Sequence, residues 1–164
     1  MEKQSIKIIQ NADYAIKVMH EAGRWLEESG KNPSQWWHPS NMNQAFLFKH
    51  AEPDEFYAAL IEDMPAAAMV LQESERNQSW AYIDKQRKQK ALYIHWLCIS
   101  RRFAGRHLPG VMVRFAKQIA TGRGFAVLRL DTNAGEFKLK KIYETLGFDL
   151  RGVQEETAFY ETRL

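Results

Sequence analysis

Three patterns follow one another in ALYIHWLCISRRFAGRHLPGVMVRFAKQIAT, residues 91–121. Residues 91–99 are apolar almost throughout, as expected of a central strand covered on both faces. From Val111 the apolar side chains recur with helical spacing, which predicts a helix to about Thr121. The connection between them, RRFAGRHLPG, contains two glycines, a proline and four basic side chains. Unpaired N–H groups and the positive end of a helix dipole converge at such a loop, so it is a candidate anion site as well as an ordinary connection.

The N-terminal half predicts a strand, two helices and a hairpin. The expected elements are a strand over 5–9, a helix from Ala12 to Glu28, a short helix beginning at Pro39, and antiparallel strands over 56–61 and 66–73 with residues 62–65 as their turn. The polar stretch over 74–90 carries mixed charges around Trp80 and Tyr82. It contains too few apolar residues for a core segment and is predicted to be a long loop.

The C-terminal part continues the alternation of strands and helices. It predicts a strand over 126–132, a helix from Lys138 ending at Gly147, and two strands joined near Glu155. The glycines of GRGF, at 122 and 124, follow a helix and therefore predict its C-cap instead of a dinucleotide fingerprint. The order β-α-α-β-β-β-α-β-α-β-β predicts one α/β domain over residues 1–164, with a single sheet and helices on both faces.

The composition is that of one globular domain. The chain has 164 residues, of which 45% are hydrophobic and 26% charged, enough to bury a core without metals or disulfides. The lone cysteine, Cys98, has no partner for an internal bridge, and neither a leader nor a membrane-spanning run is apparent, so we expect a cytoplasmic protein. The net charge of +3 is too small to indicate a nucleic-acid partner.

Two segments resemble the GNAT superfamily of acyl-CoA-dependent N-acyltransferases. They are LYIHWLCISRRFAGRHLPGVMV and AVLRLDTNAGEFKLKKIYETLGF, within Leu92 to Phe148. In that family a tyrosine on the helix after the fifth strand, followed by Leu-Gly-Phe, lies beside the cofactor sulfur. Tyr143 and the sequence Leu146-Gly147-Phe148 match it here. The resemblance implies a mixed, mostly antiparallel sheet, acetyl-CoA as cosubstrate and an amine-bearing acceptor.

The resemblance also implies that the loop binds the pyrophosphate of coenzyme A through its backbone. The residues that it assigns to this task are Ala104, Gly105, Arg106, His107, Leu108 and Gly110. The family pattern is Arg/Gln-x-x-Gly-x-Gly/Ala. This chain departs from it, with Ala104 in place of Arg or Gln, His107 in place of the first glycine and Pro109 in place of Gly or Ala.

Two further segments are implied to bind the pantetheine arm. The backbone of Leu97, Cys98 and Ile99 is expected to pair with its amides, as a peptide pairs with a sheet edge. The family's asparagine seven residues before the tyrosine is Glu136 here, with Asn133 three positions earlier. We reject Cys98 as a nucleophile, because no family motif requires one there and a buried strand cysteine usually packs as a small hydrophobe.

Direct attack of an amine on the thioester needs an acid and a base. Tyr143 is the expected acid, since its phenol can protonate the departing thiolate; ring packing is its alternative role. His95 is the expected base, because alternation puts it on the face of Leu97 and Ile99, although a structural histidine remains an alternative. Further candidate bases are Tyr93, Glu55, Glu62, Asp63 and Glu73. The histidines show no metal-ligand spacing, so no metal is predicted.

Three functions follow from these patterns. The leading one is an acetyl-CoA-dependent N-acetyltransferase, the second is an acyl-CoA-binding regulatory module without catalysis, and the weakest is nucleic-acid binding through the arginine cluster at 101, 102, 106 and 114. The acceptor is expected among the first two helices, the connection over 32–41 and the loop through Trp80. Trp36, Trp37, Trp80 and Tyr82 are aromatic candidates for it, although packing is the commoner role of such residues. A second copy of the chain is a candidate partner; nucleic acid and membrane are not expected.

Overall fold

The computed structural model describes residues 4–75, 79–85 and 89–164. Its strands and helices are, in chain order, β1 (Ile6–Gln10), α1 (Ala12–Glu28), α2 (Gln44–Leu47), β2 (Phe56–Ile61), β3 (Met64–Gln72), β4 (Ala91–Ile99), α3 (Leu108–Gly122), β5 (Val127–Asn133), α4 (Phe137–Thr145), β6 (Asp149–Gln154) and β7 (Thr157–Arg163). Short 3-10 helices occupy Pro39–Asn41, Pro53–Glu55 and Arg101–Phe103. The predicted order of strands and helices is confirmed.

The seven strands within the described residues form one mixed sheet. Their spatial order is β1-β2-β3-β4-β5-β7-β6. The pairs β1–β2, β2–β3, β5–β7 and β6–β7 are antiparallel, whereas β4 and β5 are parallel. The α/β class with a mixed, mostly antiparallel sheet is therefore confirmed.

The chain folds into two compact units. The first consists of Met1–Val70 and Trp96–Met112, and the second of Leu71–His95 and Val113–Leu164. In the first unit the buried face of α1 packs on the sheet around Phe56. In the second unit an aromatic core forms around Trp80. Each unit therefore has an apolar centre of its own.

Helix α1 begins and packs as its sequence predicts. Asn11 is its N-cap, and the side-chain oxygen accepts from the N–H of Tyr14 at 2.9 Å. Gly23 lies on the buried side of the helix. A Cβ there would stand 2.5 Å from the carbonyl oxygen of Trp37, closer than any real Cβ contact. The absence of a side chain at Gly23 thus lets the helix backbone approach the Trp37 backbone directly.

The hairpin between β2 and β3 turns more tightly than predicted. Glu62 and Asp63 have φ of 50° and 62°, the left-handed conformation required at both positions of a two-residue type I′ turn. Pro65 therefore lies within β3, opposite Leu60, where the register shifts. The predicted four-residue turn was wrong because a proline at a bulge does not end a strand.

The prediction for α3 is wrong at the start of the helix and right at its end. The helix begins at Leu108 instead of Val111, because Pro109 fits the first turn, where its missing N–H has no helical partner to lose. At the other end Gly124 has φ of 77°, and the N–H of Phe125 donates to the carbonyl of Ala120 at 2.9 Å. The C-cap prediction for GRGF is confirmed.

The polar stretch before β4 contains a core residue that the sequence did not reveal. Residues 79–85 form turns, and Trp80 within them is only 1% exposed. Its ring packs edge-on against Phe159, with centroids 5.1 Å apart. The prediction that this stretch lacks core residues was therefore wrong at Trp80. Its parts over 76–78 and 86–88 lie outside the described residues.

Candidate active site

The loop between β4 and α3 presents a row of backbone donors. Val111 donates its N–H to the carbonyl of His107, which makes His107 the residue before the first helical turn. Among the described residues, several backbone N–H groups before Val111 have no hydrogen-bond acceptor. These donors belong to Gly105, Arg106, His107, Leu108 and Gly110. Of the loop residues predicted to bind the cofactor, all but Ala104 thus carry N–H donors that no described residue uses.

His107 adopts a backbone conformation that favours glycine. Its φ is 58°, and that of Gly105 is 80°. A side chain in the left-handed region crowds the backbone, although histidine tolerates it better than branched residues. The family pattern has glycine at the position of His107. The chain therefore has a left-handed backbone conformation at this position although the residue is a histidine.

A carboxylate on α1 anchors the start of this loop. Oε1 of Glu21 accepts from the hydroxyl of Ser100 at 3.0 Å and from the N–H of Arg101 at 3.1 Å. The N–H of Ser100 donates to the carbonyl of Ala66 on β3 at 2.8 Å. The loop therefore leaves β4 with a defined backbone path, in which Ala104 closes the 3-10 turn.

The arginines of the loop contact the protein. The Arg101 guanidinium lies 4.3 Å from the ring centroid of Trp25, and Nη1 of Arg102 lies 3.3 Å from Sδ of Met64. Arg106 donates to the side chain of Gln4. All three side chains remain exposed. They keep positive charge near the backbone donors without forming ion pairs among the described residues.

The second half of β4 lies beyond its pairing with β5. That pairing joins Ala91–Ile94 to Val127–Leu130. Leu97, Cys98 and Ile99, which the resemblance assigns to pantetheine, come after its end. Cys98 is buried, and burial raises the pKa of its thiol well above the usual range. A thiol held in the protonated form supports its role as a small apolar residue.

The YETLGF sequence ends α4 with a Schellman motif. Phe148 donates its N–H to the carbonyl of Tyr143 at 3.0 Å, and Gly147 donates to that of Glu144 at 3.1 Å. Gly147 has φ of 94°, as this turn requires. The rings of Tyr143 and Phe148 supply the accompanying apolar contact, with centroids 6.2 Å apart. This termination fixes Tyr143 at the last turn of the helix.

The turn before α4 uses the two residues predicted to contact pantetheine. Oδ1 of Asn133 accepts from the N–H of Gly135 at 2.8 Å, and the N–H of Glu136 donates to the Asn133 carbonyl at 3.0 Å. Glu136 is the N-cap residue of α4. Both residues therefore shape the entry to the helix that carries Tyr143, and a contact with pantetheine stays a prediction.

His95 lies against a carboxylate in the second unit. Its Nε2 is 3.3 Å from Oε2 of Glu75, and its ring stacks parallel to that of Tyr93, with centroids 6.5 Å apart. The prediction that Tyr93 and His95 share a face is confirmed. Trp96 has φ of 49°, which interrupts the alternation of β4 directly after His95. The period-two argument that joined His95 to Leu97 and Ile99 therefore fails across Trp96.

Two acidic residues near His95 were missed from the sequence. The ligand-capable oxygens of Glu75 and Asp131 and a ring nitrogen of His95 all lie within 4.8 Å of one another. Burial raises the pKa of Asp131, the positive charge of His95 opposes that shift, and the negative charge of Glu75 adds to it. No local spacing signals this cluster, because its members come from three separate segments.

The other candidate bases have structural roles. Glu73 pairs with Arg123 at 3.2 Å, and Glu55 accepts from the N–H of Glu52 in a capping box. Glu62 and Asp63 form the β2–β3 turn. The Tyr93 hydroxyl accepts from Nη1 of Arg129 at 3.2 Å, and burial raises its pKa. These contacts leave His95 as the candidate base with a carboxylate beside it.

The aromatic candidates for acceptor binding divide into two groups. In the first unit Trp36 packs near Phe46, His50 and Trp96, and Nε1 of Trp96 donates to the Trp36 carbonyl at 2.6 Å. These rings are half-buried. In the second unit the guanidinium of Arg129 lies 4.5 Å from the ring of Trp80. Packing is therefore the role of Trp80, whereas the Trp36 cluster keeps exposed ring surface.

Sequence comparison identifies one family over most of the chain. Residues 19–148 match the model of the acetyltransferase (GNAT) family. No curated protein sequence matches the chain. No helix among the described residues has the length and apolar character needed to span a membrane.

Solved structures with the same fold come from several microorganisms. An acetyltransferase of the GNAT family from Listeria monocytogenes has a TM-score of 0.76 at 22% identity, over 98% of this chain and 95% of that one. PaiA N-acetyltransferase from Thermoplasma acidophilum, in complex with coenzyme A, has a TM-score of 0.74 at 14% identity, over 98% of this chain and 99% of that one. A Bacillus anthracis protein named as a streptothricin acetyltransferase, in complex with acetyl coenzyme A, has a TM-score of 0.52 at 17% identity. The match covers 66% of this chain and 61% of that one.

Proposed function

The chain belongs to the acetyltransferase (GNAT) family, and from this we propose that it transfers the acetyl group of acetyl-CoA to a primary amine in a ternary complex. Structures of the same fold contain coenzyme A or acetyl coenzyme A, which supports this choice of cosubstrate. The observation that carries the proposal is the row of unused N–H donors between β4 and α3.

The proposed phosphate site uses backbone instead of side-chain charge. Gly105 and His107 hold left-handed conformations on either side of Arg106, and the first turn of α3 follows them. N–H groups aimed from a helix N-terminus stabilise an anion without side-chain reorganisation. The pyrophosphate of coenzyme A supplies such an anion. The exposed guanidinium groups nearby add long-range attraction.

The proposed chemistry assigns one proton to each of two side chains. The amine nitrogen attacks the thioester carbonyl carbon, and the imidazole of His95 takes the proton that the amine loses, directly or through water. The Glu75 carboxylate at 3.3 Å then faces an imidazolium, so its charge stabilises the product of that transfer. As the carbon–sulfur bond breaks, the Tyr143 hydroxyl gives a proton to the sulfur. The products are an amide and coenzyme A with a free thiol.

A second candidate function is favoured by Pro109. This residue occupies the first turn of α3 and has no N–H, so the donor row is interrupted between Leu108 and Gly110. A weakened donor row is compatible with a module that binds acyl-CoA as a signal and does not turn it over. Binding without catalysis is the outcome that would select this function.

Binding and turnover are tested separately. Coenzyme A or acetyl-CoA is expected to raise the melting temperature, because a ligand at 100 times its Kd stabilises the fold by about 2.7 kcal/mol. Thiol release with acetyl-CoA and a panel of primary amines then measures catalysis. No melting shift at millimolar coenzyme A would contradict the proposal, and a shift without thiol release would favour the regulatory module.

Two glycines provide a matched test of the donor row. Gly105 and Gly30 have φ of 80° and 79°, and a Cβ on either would meet nothing within 4 Å. Gly105→Ala and Gly30→Ala therefore carry the same conformational cost, about 1 kcal/mol. Only Gly105→Ala is expected to weaken coenzyme A binding. Equal affinities of the two variants would move the phosphate site elsewhere.

A further inference from the structure

The cluster of His95, Glu75 and Asp131 has the composition of a metal site. One ring nitrogen and two carboxylate oxygens lie within 4.8 Å of one another, and none of the three residues is exposed. His95 belongs to β4 and Asp131 to β5, whose parallel pairing ends one residue before each of them, at Ile94 and Leu130. Glu75 follows the end of β3. Three segments distant in sequence thus converge on one small volume.

Glu75 supplies a second and independent observation. Its side chain is 10% exposed, and its Oε2 is a buried oxygen with no hydrogen-bond partner among the described residues. This oxygen is the one that faces Nε2 of His95. A buried carboxylate that faces an uncharged imidazole is costly, so a cation held between the two atoms would lower this cost.

The distance between these two atoms suits a shared metal ion better than a hydrogen bond. Charge-assisted N–H···O bonds are about 2.7–2.9 Å long, whereas Nε2 of His95 and Oε2 of Glu75 stand 3.3 Å apart. Two ligand atoms bound at about 2.1 Å to a tetrahedral ion are separated by about 3.4 Å. The pair therefore already has the spacing of two metal ligands, and Asp131 supplies the third.

The neighbouring positive charge does not neutralise the cluster. Arg129 lies two residues before Asp131 on β5, but its guanidinium is bound by the carboxylates of Asp84 and Glu161, each at 2.8 Å. Among the described residues the two carboxylates of Glu75 and Asp131 thus face one imidazole, an arrangement that favours a bound cation.

We propose that His95, Glu75 and Asp131 bind one divalent transition-metal ion, with Zn²⁺ as the best-matched species. An imidazole nitrogen with two carboxylate oxygens suits Zn²⁺, whereas Mg²⁺ and Ca²⁺ prefer oxygen ligands alone. Three protein ligands leave a coordination position for water. This site goes beyond the proposed acetyl transfer and does not depend on it.

Occupancy by the metal has a consequence for the proposed catalysis. A histidine that binds Zn²⁺ must stay neutral, so the imidazole of His95 cannot hold the proton of the amine while the ion is bound. Zn²⁺ is therefore expected to inhibit acetyl transfer reversibly, and a chelator is expected to restore it. Inhibition is a secondary readout, because the binding measurements need no enzymatic activity.

The test titrates the chelator-treated full chain with metal. By calorimetry Zn²⁺ is expected to bind at one equivalent and Mg²⁺ not at all at millimolar concentration, and Co²⁺ is expected to give the visible absorption of a low-coordinate site. Glu75→Gln and Asp131→Asn each remove one negative ligand at nearly constant shape. Each is expected to weaken Zn²⁺ binding at least tenfold.

A second histidine–glutamate pair supplies the matched control. Nε2 of His38 and Oε2 of Glu27 are also 3.3 Å apart, but both side chains are about half exposed. Glu27→Gln is expected to leave Zn²⁺ affinity unchanged. The proposal would be overturned by the absence of stoichiometric Zn²⁺ binding, by unchanged affinity in both Glu75→Gln and Asp131→Asn, or by a loss of affinity in Glu27→Gln.

Discussion

The hydroxyl of Tyr160 on β7 donates a hydrogen bond to Oε1 of Glu144 on α4, 3.2 Å away. The Tyr160 ring is fully buried and lies 6.1 Å from the ring of Tyr143. Together with Phe148, Tyr160 therefore encloses the proposed acid. The same hydrogen bond exists only while the Tyr160 hydroxyl is protonated.

This pair predicts a loss of stability at alkaline pH. Burial, with the hydrogen bond and charge of Glu144, raises the pKa of Tyr160 to about 12, against an ordinary value near 10. The folded state holds the proton more tightly, so the contribution is complete below pH ~10 and is lost as the pH rises towards ~12. Between pH ~9.5 and ~11.5, urea unfolding should show the wild type losing about 1–2 kcal/mol more than Tyr160→Phe. Equal losses of unfolding free energy in the two proteins would contradict the raised pKa of Tyr160.

Replacement of Tyr143 by phenylalanine tests the proposed acid. The ring and its contact with Phe148 remain, while the proton-donating hydroxyl is lost. We expect kcat to fall roughly ten- to several-hundred-fold with little change in coenzyme A affinity. Tyr14→Phe, which removes a hydroxyl from α1, should leave kcat unchanged. Equal kcat for Tyr143→Phe and wild type, with chemistry rate-limiting, would remove Tyr143 from the mechanism.

The left-handed backbone at His107 predicts that two substitutions there differ in their effects. Valine is branched at Cβ and is strained at φ of 58°, so His107→Val should lower the free energy of unfolding by about 1–2 kcal/mol and weaken coenzyme A binding. His107→Gly relieves the strain and should preserve both within about 1 kcal/mol. Thermal melts with and without coenzyme A measure the two effects. A valine variant that matches the glycine variant would show that the conformation is not required.

The buried ion pair of Arg129 should contribute far more than an exposed one. Arg129 is 1% exposed, and its guanidinium binds both carboxylate oxygens of Asp84. Asp84→Asn leaves a buried charge partly uncompensated and should cost about 2–4 kcal/mol. Glu28→Gln breaks the exposed pair with Arg24, which has a nitrogen–oxygen distance of 3.2 Å, and should cost less than about 0.5 kcal/mol. Chemical denaturation of both variants makes the comparison.

The parts of the fold that the sequence predicted well are those with local physical causes. The bounds of α1 follow from the Asn11 cap and helical periodicity, and β2 and β4 follow from unbroken apolar runs. Pro65 and Pro109 misled the prediction of boundaries, because proline is compatible with a bulge and with a first helical turn. Both exceptions depend on where the missing N–H points, which a sequence does not reveal.

The same distinction between local and long-range causes applies to the candidate site. The donor loop and Tyr143 lie in contiguous motifs, so a local pattern was enough to find them. Glu75 and Asp131 approach His95 only in the folded chain, and their neighbours in sequence carry no matching spacing. The core around Trp80 could not be located for a similar reason, because its ring packs against Phe159 and the guanidinium of Arg129, which are distant in the sequence.

The contact between Gly23 and the Trp37 backbone restricts which sequences can share this structure. Even alanine at position 23 would force α1 and the Trp37 segment apart, since the obstructing atom is a main-chain oxygen that cannot rotate away. The neighbouring Trp36 belongs to the aromatic cluster with Phe46, His50 and Trp96. In a relative that carries a larger residue at this position, the contact between α1 and the Trp37 segment must differ. The identity of one residue thus distinguishes homologues that have inherited the aromatic surface from those in which it has diverged.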